Sequence, residues 1–156
     1  MRFGVLGPLE VSREDGPVPL GGPKQRIVLA HLVLGANKVV SAEHLIDALW
    51  GEELPEDPKS TLQVYVSRLR SVLGADAIVA QAPGYALRAA RDEVDALRFE
   101  DLLSAARGNG SDPRATDEIL TEALELWRGP ALADLSGEPS LTGQIARLEE
   151  LRLQAL

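Results

Sequence analysis

Apolar residues recur at helical spacing in the stretch 58–74, PKSTLQVYVSRLRSVLG. At about 100° per residue, four of them fall within about 60° of one another and form one narrow stripe: Leu62, Val66, Leu69 and Leu73. The stripe predicts a helix over 58–74 with one side packed against a core.

The other side of this helix is polar and carries no negative charge. It collects hydroxyl, amide and cationic side chains with one valine: Lys59, Ser60, Thr61, Gln63, Val64, Ser67, Arg68, Arg70 and Ser71. Small hydroxyl side chains would allow close approach to DNA, Gln63 and Arg68 could read base edges, and the three cations could meet phosphates. An ordinary amphipathic surface helix with three cations explains the stripe equally well. The flanking elements have to decide between the two.

Helical and extended patterns flank this helix in a recognisable order. They predict a small N-terminal antiparallel sheet from 2–12 and 18–20, and two helices at 24–34 and 42–50. After 58–74 they predict two strands, at 78–81 and 85–88. Ser41 is a good N-cap for the second helix, and Gly51 a good stop. Helix, linker, helix and hairpin follow one another as in a winged helix-turn-helix, with the hairpin as the wing.

The linker between the second and third helices is crowded with acid. Its sequence GEELPEDP contains Glu52, Glu53, Glu56 and Asp57. Four carboxylates in one exposed loop would repel DNA, so they either face a protein partner or are simply solvated. The second alternative gains support because the N-terminus of a helix favours acidic residues.

The second half of the chain shows only helical periodicity. Apolar residues recur over 95–107, over 113–128 and from about 139 onward, and 108–111 is predicted to be the loop between the first two helices. Two helices joined by a short loop suit a repeat-type helical hairpin. We expect an N-terminal domain over 1–90 and a helical domain over 91–156, an α+β, mostly helical chain. Because the helical pattern still continues at Leu156, we expect either part of a longer helical module or an unusually short member of its family. In either case we expect the apolar face of the helices to be covered by self-association or by a continuation of the chain.

Composition limits the class of protein. At 156 residues and 45% hydrophobic content the chain can build a real core, and it has no cysteine and no apolar run long enough to cross a bilayer. Residues 1–90 carry nine Lys/Arg against ten Asp/Glu, and residues 91–156 carry seven against fourteen, which together give the net charge of -8. The acid is concentrated in the second half. A nearly neutral first half with one locally positive helix can bind a polyanion, with strong salt dependence. We expect a cytoplasmic protein without a membrane segment.

No catalytic constellation is visible. His31 and His44 lie 13 positions apart without metal-ligand spacing, and the adjacent Glu149 and Glu150 would point about 100° apart on a helix. Gly21-Gly22-Pro23-Lys24 lacks the spacing and the hydroxyl of a phosphate-binding loop. We predict no catalytic residues, no cofactor and no metal, hence no enzyme.

The run PKQRIVLAHLVLGANKVVSAEHLIDALWGEELP, followed by TLQVYVSRLRSVLG and GYALR, resembles the DNA-binding domain of the SARP/AfsR/EmbR-like transcriptional activators of actinobacteria. That domain is of the OmpR/PhoB winged-helix type, and the match covers residues 2–89. Downstream, ALRFEDLLSAA, EALELWRGPALADL and IARLEEL resemble the opening of the TPR-like bacterial transcriptional activation domain of the same family.

The resemblance implies roles for several residues. The polar face of helix 58–74 would enter the major groove at promoter direct repeats about one helical turn apart, and the wing at 78–88 would touch the minor groove. The acidic loop would face RNA polymerase, and the protein would associate with the nucleoid. Gln81 stands where OmpR-type wings often carry an arginine, and Arg88 could partly replace that contact.

A second class of function stays open from the sequence. In a protein-interaction module, the TPR-like helices would be the main docking surface and the groove-facing helix would bind protein. That alternative predicts no duplex DNA binding even at low salt.

Overall fold

In a computed structural model, which describes residues 1–108 and 112–156, helices dominate and the strands are short. In chain order the elements are β1 Arg2–Gly4, β2 Glu10–Arg13, β3 Gly16–Pro17, α1 Pro23–Leu34, β4 Val40–Ser41, α2 Ala42–Trp50, α3 Pro58–Leu73, β5 Ile78–Gln81, β6 Gly84–Leu87, α4 Asp95–Gly108, α5 Pro113–Glu125 and α6 Thr142–Ala155. Short 3-10 turns occur at Arg91–Glu93, Ala133–Leu135 and Pro139–Leu141. The predicted interhelical loop at 108–111 falls mostly on residues 109–111, outside the described ranges.

The chain divides into two compact units. The first unit comprises Met1 and residues 11–89, and the second comprises residues 2–10 and 90–156. The sequence assigned all of 1–90 to one N-terminal domain, so the structure differs for the segment 2–10. The physical reason is that the partners of this segment come from the helical half.

In the first unit, α1 is the central helix. Its residues from Ile27 to Val33 are all buried, so it has no polar stripe and is enclosed on every side. The predicted stripe of α3 is buried as expected, with Leu62, Val66, Leu69 and Leu73 at most 2% exposed, and α3 packs on both α1 and α2. α3 therefore buries the side that the sequence assigned to the core.

Two small sets of strands complete the first unit. β2 pairs antiparallel with β3, while β6 lies between β4 and β5 with Val40 opposite Tyr85 and Ile78 opposite Leu87. The sequence did not predict β4. It forms because Gly84 has no side chain: a Cβ there would lie 1.9 Å from the carbonyl oxygen of Val40. This makes 84 a position that only glycine fits.

In the second unit, the segment 2–10 is bound by the helical residues. Asp95 accepts hydrogen bonds from the backbone N–H groups of Val5 and Leu6 at 2.9 to 3.1 Å, and Asp134 accepts one from Leu9 at 2.8 Å. The side chains of Phe3, Val5, Leu6 and Leu9 are at most 4% exposed. The segment is therefore part of the core of the helical unit.

The conspicuous sequence WRGPALADL forms the other side of this binding site. The backbone N–H of Arg128 donates to the carbonyl of Leu6, and that of Leu132 donates to the carbonyl of Val5. The Arg128 guanidinium bonds Glu10 and the carbonyl of Pro8, both at 2.8 Å. Trp127 packs edge-on against Phe99 and below the guanidinium of Arg152. The motif thus holds the N-terminal segment, which is a strand at Arg2–Gly4 and bends at residues 6–8.

Removing the Asp95 carboxylate should destabilise the second unit. Asp95→Ala leaves two buried backbone N–H groups without an acceptor, so we expect a loss of roughly 2–4 kcal/mol in the free energy of unfolding. Urea unfolding followed by Trp127 fluorescence, in a Trp50→Phe background, measures it. Asp101→Ala on the same helix removes only an exposed ion pair with Arg91 and is the control. An equal loss in both variants would contradict the assigned role.

The first unit should lose stability in mild acid because of His31. This histidine is 6% exposed, and burial, with a smaller effect of the charge on His44, lowers its pKa from 6.5 to about 4. Between these two pKa values the unfolded chain binds a proton at His31 that the folded chain does not bind. The contribution of neutral His31 to the free energy of unfolding is therefore complete above about pH 6.5 and is lost as the pH falls toward 4. We expect roughly 2 kcal/mol less stability at pH 5 than at pH 7 from this group.

The measurement is urea unfolding across this pH range for three proteins. His31→Leu should flatten the dependence, whereas His44→Gln, at an exposed position, should keep most of it. A His31→Leu profile as steep as that of the unsubstituted chain would show that another group is responsible.

Candidate nucleic-acid interface

The ends of α3 are fixed by local side-chain chemistry. Asp57 is the N-cap and accepts a hydrogen bond from the N–H of Ser60 at 3.1 Å, with Pro58 in the first turn. Gly74 ends the helix at φ 105, a conformation that favours glycine. With its stripe buried, α3 is held at one rotation about its axis, and its polar side faces outward.

Most of the predicted contact residues lie on this outward face. The exposed members are Lys59, Ser60, Gln63, Val64, Ser67, Arg68 and Ser71. Those from Ser60 to Arg68, with the half-buried Thr61 and Tyr65, line a shallow surface groove. Val64 is 45% exposed at its centre. The face therefore offers hydroxyls, one amide, one apolar group and two cations.

Two of the hydroxyl groups are already used as donors. Thr61 donates to the carbonyl of Asp57 at 2.9 Å, and Ser71 donates to the carbonyl of Arg68 at 2.7 Å. Their oxygens retain lone pairs, so on this face they are available chiefly as acceptors. The sequence cannot show this distinction, because a bond back to the helix depends on the rotamer.

Arg70 differs from the other predicted contacts. It is half-buried, and its Nε donates to the carbonyl oxygen of Ile78 in β5 at 2.8 Å. The sequence placed it on the flank of the polar face as a phosphate contact. In the structure one of its N–H groups bonds the hairpin, a contact that the sequence did not predict.

The predicted wing is the β5–β6 hairpin. Gln81 and Arg88 are both exposed, and Arg88 Nη2 donates to Gln81 Oε1 at 3.1 Å. The two predicted wing residues, seven positions apart, thus form one polar group. The side-chain amide of Gln81 thus helps to orient the guanidinium of Arg88.

An aromatic contact joins the second and third helices. The rings of Trp50 and Tyr65 stack with centroids 6.3 Å apart, and the ammonium of Lys24 lies 5.9 Å from the centroid of Trp50 while bonding the carbonyl of Leu49. The contact depends on a partner in another helix, for which helical periodicity gives no signal.

The acidic loop divides into two parts. Glu52, Glu53 and Glu56 are exposed, next to Leu54, which is 55% exposed. Asp57, which the sequence grouped with them, caps α3. Its carboxylate, although exposed, is engaged in capping, so the carboxylates of the loop that do not cap α3 are those of Glu52, Glu53 and Glu56.

The two histidines are closer than their spacing suggests. Their rings lie 5.1 Å apart in an edge-on arrangement, His31 buried and His44 exposed. Across residues 1–108 and 112–156, His, Asp and Glu form no group of three or more that could hold a metal ion. In the same ranges no helix is both long and apolar enough to cross a bilayer.

Comparisons with known proteins assign both units. Residues 17–87 match the family "Transcriptional regulatory protein, C terminal", and residues 94–156 match the "Bacterial transcriptional activator domain". The regulatory protein AfsR of Streptomyces coelicolor is 43% identical over 160 residues, which is all of this chain but 16% of AfsR. EmbR of Mycobacterium tuberculosis, solved in complex with a low affinity phosphopeptide, superposes with a TM-score of 0.87 at 36% identity, covering 99% of this chain and 43% of EmbR.

A winged helix-turn-helix followed by an activator domain defines a class of bacterial transcriptional regulators, and not of enzymes. Within this class the chain belongs to the AfsR/EmbR-like, or SARP, family of transcriptional activators, which confirms the resemblance. It spans only a sixth to about half of the curated relatives that it matches.

Proposed function

We propose that this chain binds duplex promoter DNA sequence-specifically and acts as the DNA-binding part of a transcriptional activator. The observation that carries the proposal is the outward face of α3, on which exposed hydroxyl, amide and cationic groups occur without a carboxylate from Lys59 to Leu73. A polyanion is the partner that such a face suits. Membership in a family of transcriptional regulators agrees with it.

The residues would divide into two roles. Gln63, Val64 and Arg68 lie in the groove of the face and would contact base edges, Arg68 at guanine and Val64 by apolar contact. Lys59, with the hydroxyl groups of the face, would contact phosphates and fix the register. The Gln81–Arg88 pair would meet the adjacent minor groove. Each winged helix would occupy one half of a direct repeat, about one helical turn from the next.

The competing function, a protein-interaction module, differs in its electrostatic prediction. The DNA proposal requires that duplex binding weaken steeply with salt, because released counterions contribute to the affinity. The interaction module requires no duplex binding at low salt. The excess of acid, fourteen Asp/Glu against seven Lys/Arg, lies in residues 91–156, so it does not argue against DNA at α3.

RNA polymerase is the second partner that we propose. Glu52, Glu53 and Glu56 are exposed on the loop between α2 and α3 and surround an exposed leucine, a surface suited to a basic protein and unsuited to DNA. Binding at promoters would place the protein at the nucleoid, in the cytoplasm. Self-association through the helical unit stays a further prediction.

Arg68→Ala should weaken binding to the promoter region beside the chain's own gene. If Arg68 reads a base, the loss should be roughly 1–3 kcal/mol at the specific site, and discrimination against unrelated duplexes should fall. Gel shifts over a salt series, with specific and unrelated DNA, measure both quantities.

The control for this substitution is Arg114→Ala, which removes a 92% exposed arginine of the second unit. It should leave binding unchanged. A uniform loss on all sequences, with a salt slope lower by about one unit, would instead make Arg68 a phosphate contact. Absence of duplex binding by the unsubstituted chain at low salt would reject the DNA proposal.

Neutralising the acidic loop should separate DNA binding from activation. The combined change Glu52→Gln, Glu53→Gln and Glu56→Gln removes the carboxylates while Asp57 keeps capping α3. We expect unchanged or slightly tighter DNA binding, because repulsion is reduced, and a strong loss of transcription in a reconstituted reaction with RNA polymerase. The control is a variant with the same change in charge on the exposed face of α5, which combines Asp117→Asn, Glu118→Gln and Glu125→Gln. Equal loss in this control would reject a specific role for the loop.

A further inference from the structure

The wing strand β5 has one open edge. In the sheet β4–β6–β5, the strand β6 is central and β5 is terminal. The N–H of Arg88 donates to the carbonyl of Ala77, so the backbone groups of Ala77 point toward β6. Because these directions alternate along an antiparallel strand, the carbonyl of Ile78 points away from β6, toward the open edge.

Arg70 supplies the donor that this carbonyl needs. The side chain of Ile78 is fully buried, and a backbone carbonyl in such surroundings costs free energy if it has no partner. Arg70 Nε lies 2.8 Å from it. A bond from a charged donor is stronger than one between neutral groups. It therefore joins the last turn of α3 to the first residue of the wing.

We propose that Arg70 is a positioning residue, which fixes the wing relative to α3, and that it does not itself contact DNA. The proposal rests on the DNA-binding function proposed above. Arg70 is half-buried, whereas Lys59 and Arg68, the other cations of α3, are exposed. Through Arg70, α3 and the hairpin that carries Gln81 and Arg88 are held at one relative placement, so the helix and the wing engage adjacent grooves together.

Two neutral substitutions separate positioning from phosphate contact. Arg70→Gln places an N–H donor the same number of bonds from the backbone as Nε but removes the charge. Arg70→Met has similar length and no donor. Positioning therefore predicts that the Gln variant keeps the link and the Met variant loses it. A phosphate contact predicts that both fail equally.

The link is measured first in the free protein, by hydrogen exchange of the 78–87 amides. Arg70→Met should raise their exchange about tenfold while the amides of α3 remain protected, and Arg70→Gln should stay close to the unsubstituted chain. Arg68→Ala, two positions earlier, is the control and should change nothing in the hairpin. Unchanged hairpin exchange in Arg70→Met would overturn the inference.

DNA binding is measured next, in combination with Arg88→Ala. Arg70→Met should weaken promoter binding about tenfold, and this loss should be clearly smaller in the Arg88→Ala background, because the charged contact of the wing is absent there. Losses that simply add would show that Arg70 acts independently of the wing. If the Met variant does not fold, Arg70→Gln alone decides. A promoter affinity and a salt slope of binding close to those of the unsubstituted chain support the positioning role, whereas a salt slope lower by about one unit overturns it.

Failure of the two proposals can be told apart. If the unsubstituted chain binds no duplex DNA, the proposed function fails, while the exchange experiment still decides whether Arg70 holds the hairpin. If the chain binds DNA and Arg70→Gln and Arg70→Met lose affinity equally, DNA binding stands and the positioning role is rejected.

Discussion

The burial of four side chains on one side of α3 is the constraint on which the interface depends. Leu62, Val66, Leu69 and Leu73 pack on a core whose central helix, α1, is enclosed on all sides. This packing sets the rotation of α3 about its axis. Turning the helix by one residue, about 100°, would expose part of the stripe and bury polar groups, at a cost of several kcal/mol. The outward polar face is therefore a consequence of the core.

Features determined by neighbours in sequence were predictable, and those determined by distant partners were not. Ser41 and Gly51 bound α2 where the sequence placed its ends, because caps and stops act within one turn. The stripe of α3 was also predictable, since periodicity alone defines it. Arg70 was placed on the right helix, but its bond to the carbonyl of Ile78 was not predicted. A backbone acceptor leaves no trace in residue type.

The same limit explains the domain assignment of residues 2–10. Their pattern correctly predicts the strands at Arg2–Gly4 and from Glu10 onward, but not the bend at residues 6–8 between them. An extended segment can pair with many partners, and hydrophobicity does not say which. Asp95 and Asp134 bind backbone N–H groups of this segment about 90 and 125 positions away. The run WRGPALADL was recognisable as a family motif, yet its letters do not reveal that its backbone holds the N-terminal segment.

This arrangement bears on how the two halves can be studied apart. A fragment starting at residue 90 would lack the segment that buries Phe3, Val5, Leu6 and Leu9. The carboxylates of Asp95 and Asp134 would then lose their backbone donors. Burial raises the pKa of Asp95, whereas the N–H groups of Val5 and Leu6 and the charge of Arg128 lower it, so the fragment would lose two of the groups that stabilise the ionised carboxylate. A fragment that retains residues 2–10 keeps these contacts. The boundary that the structure supports for the helical unit is therefore discontinuous in sequence, and the winged-helix unit begins at Val11.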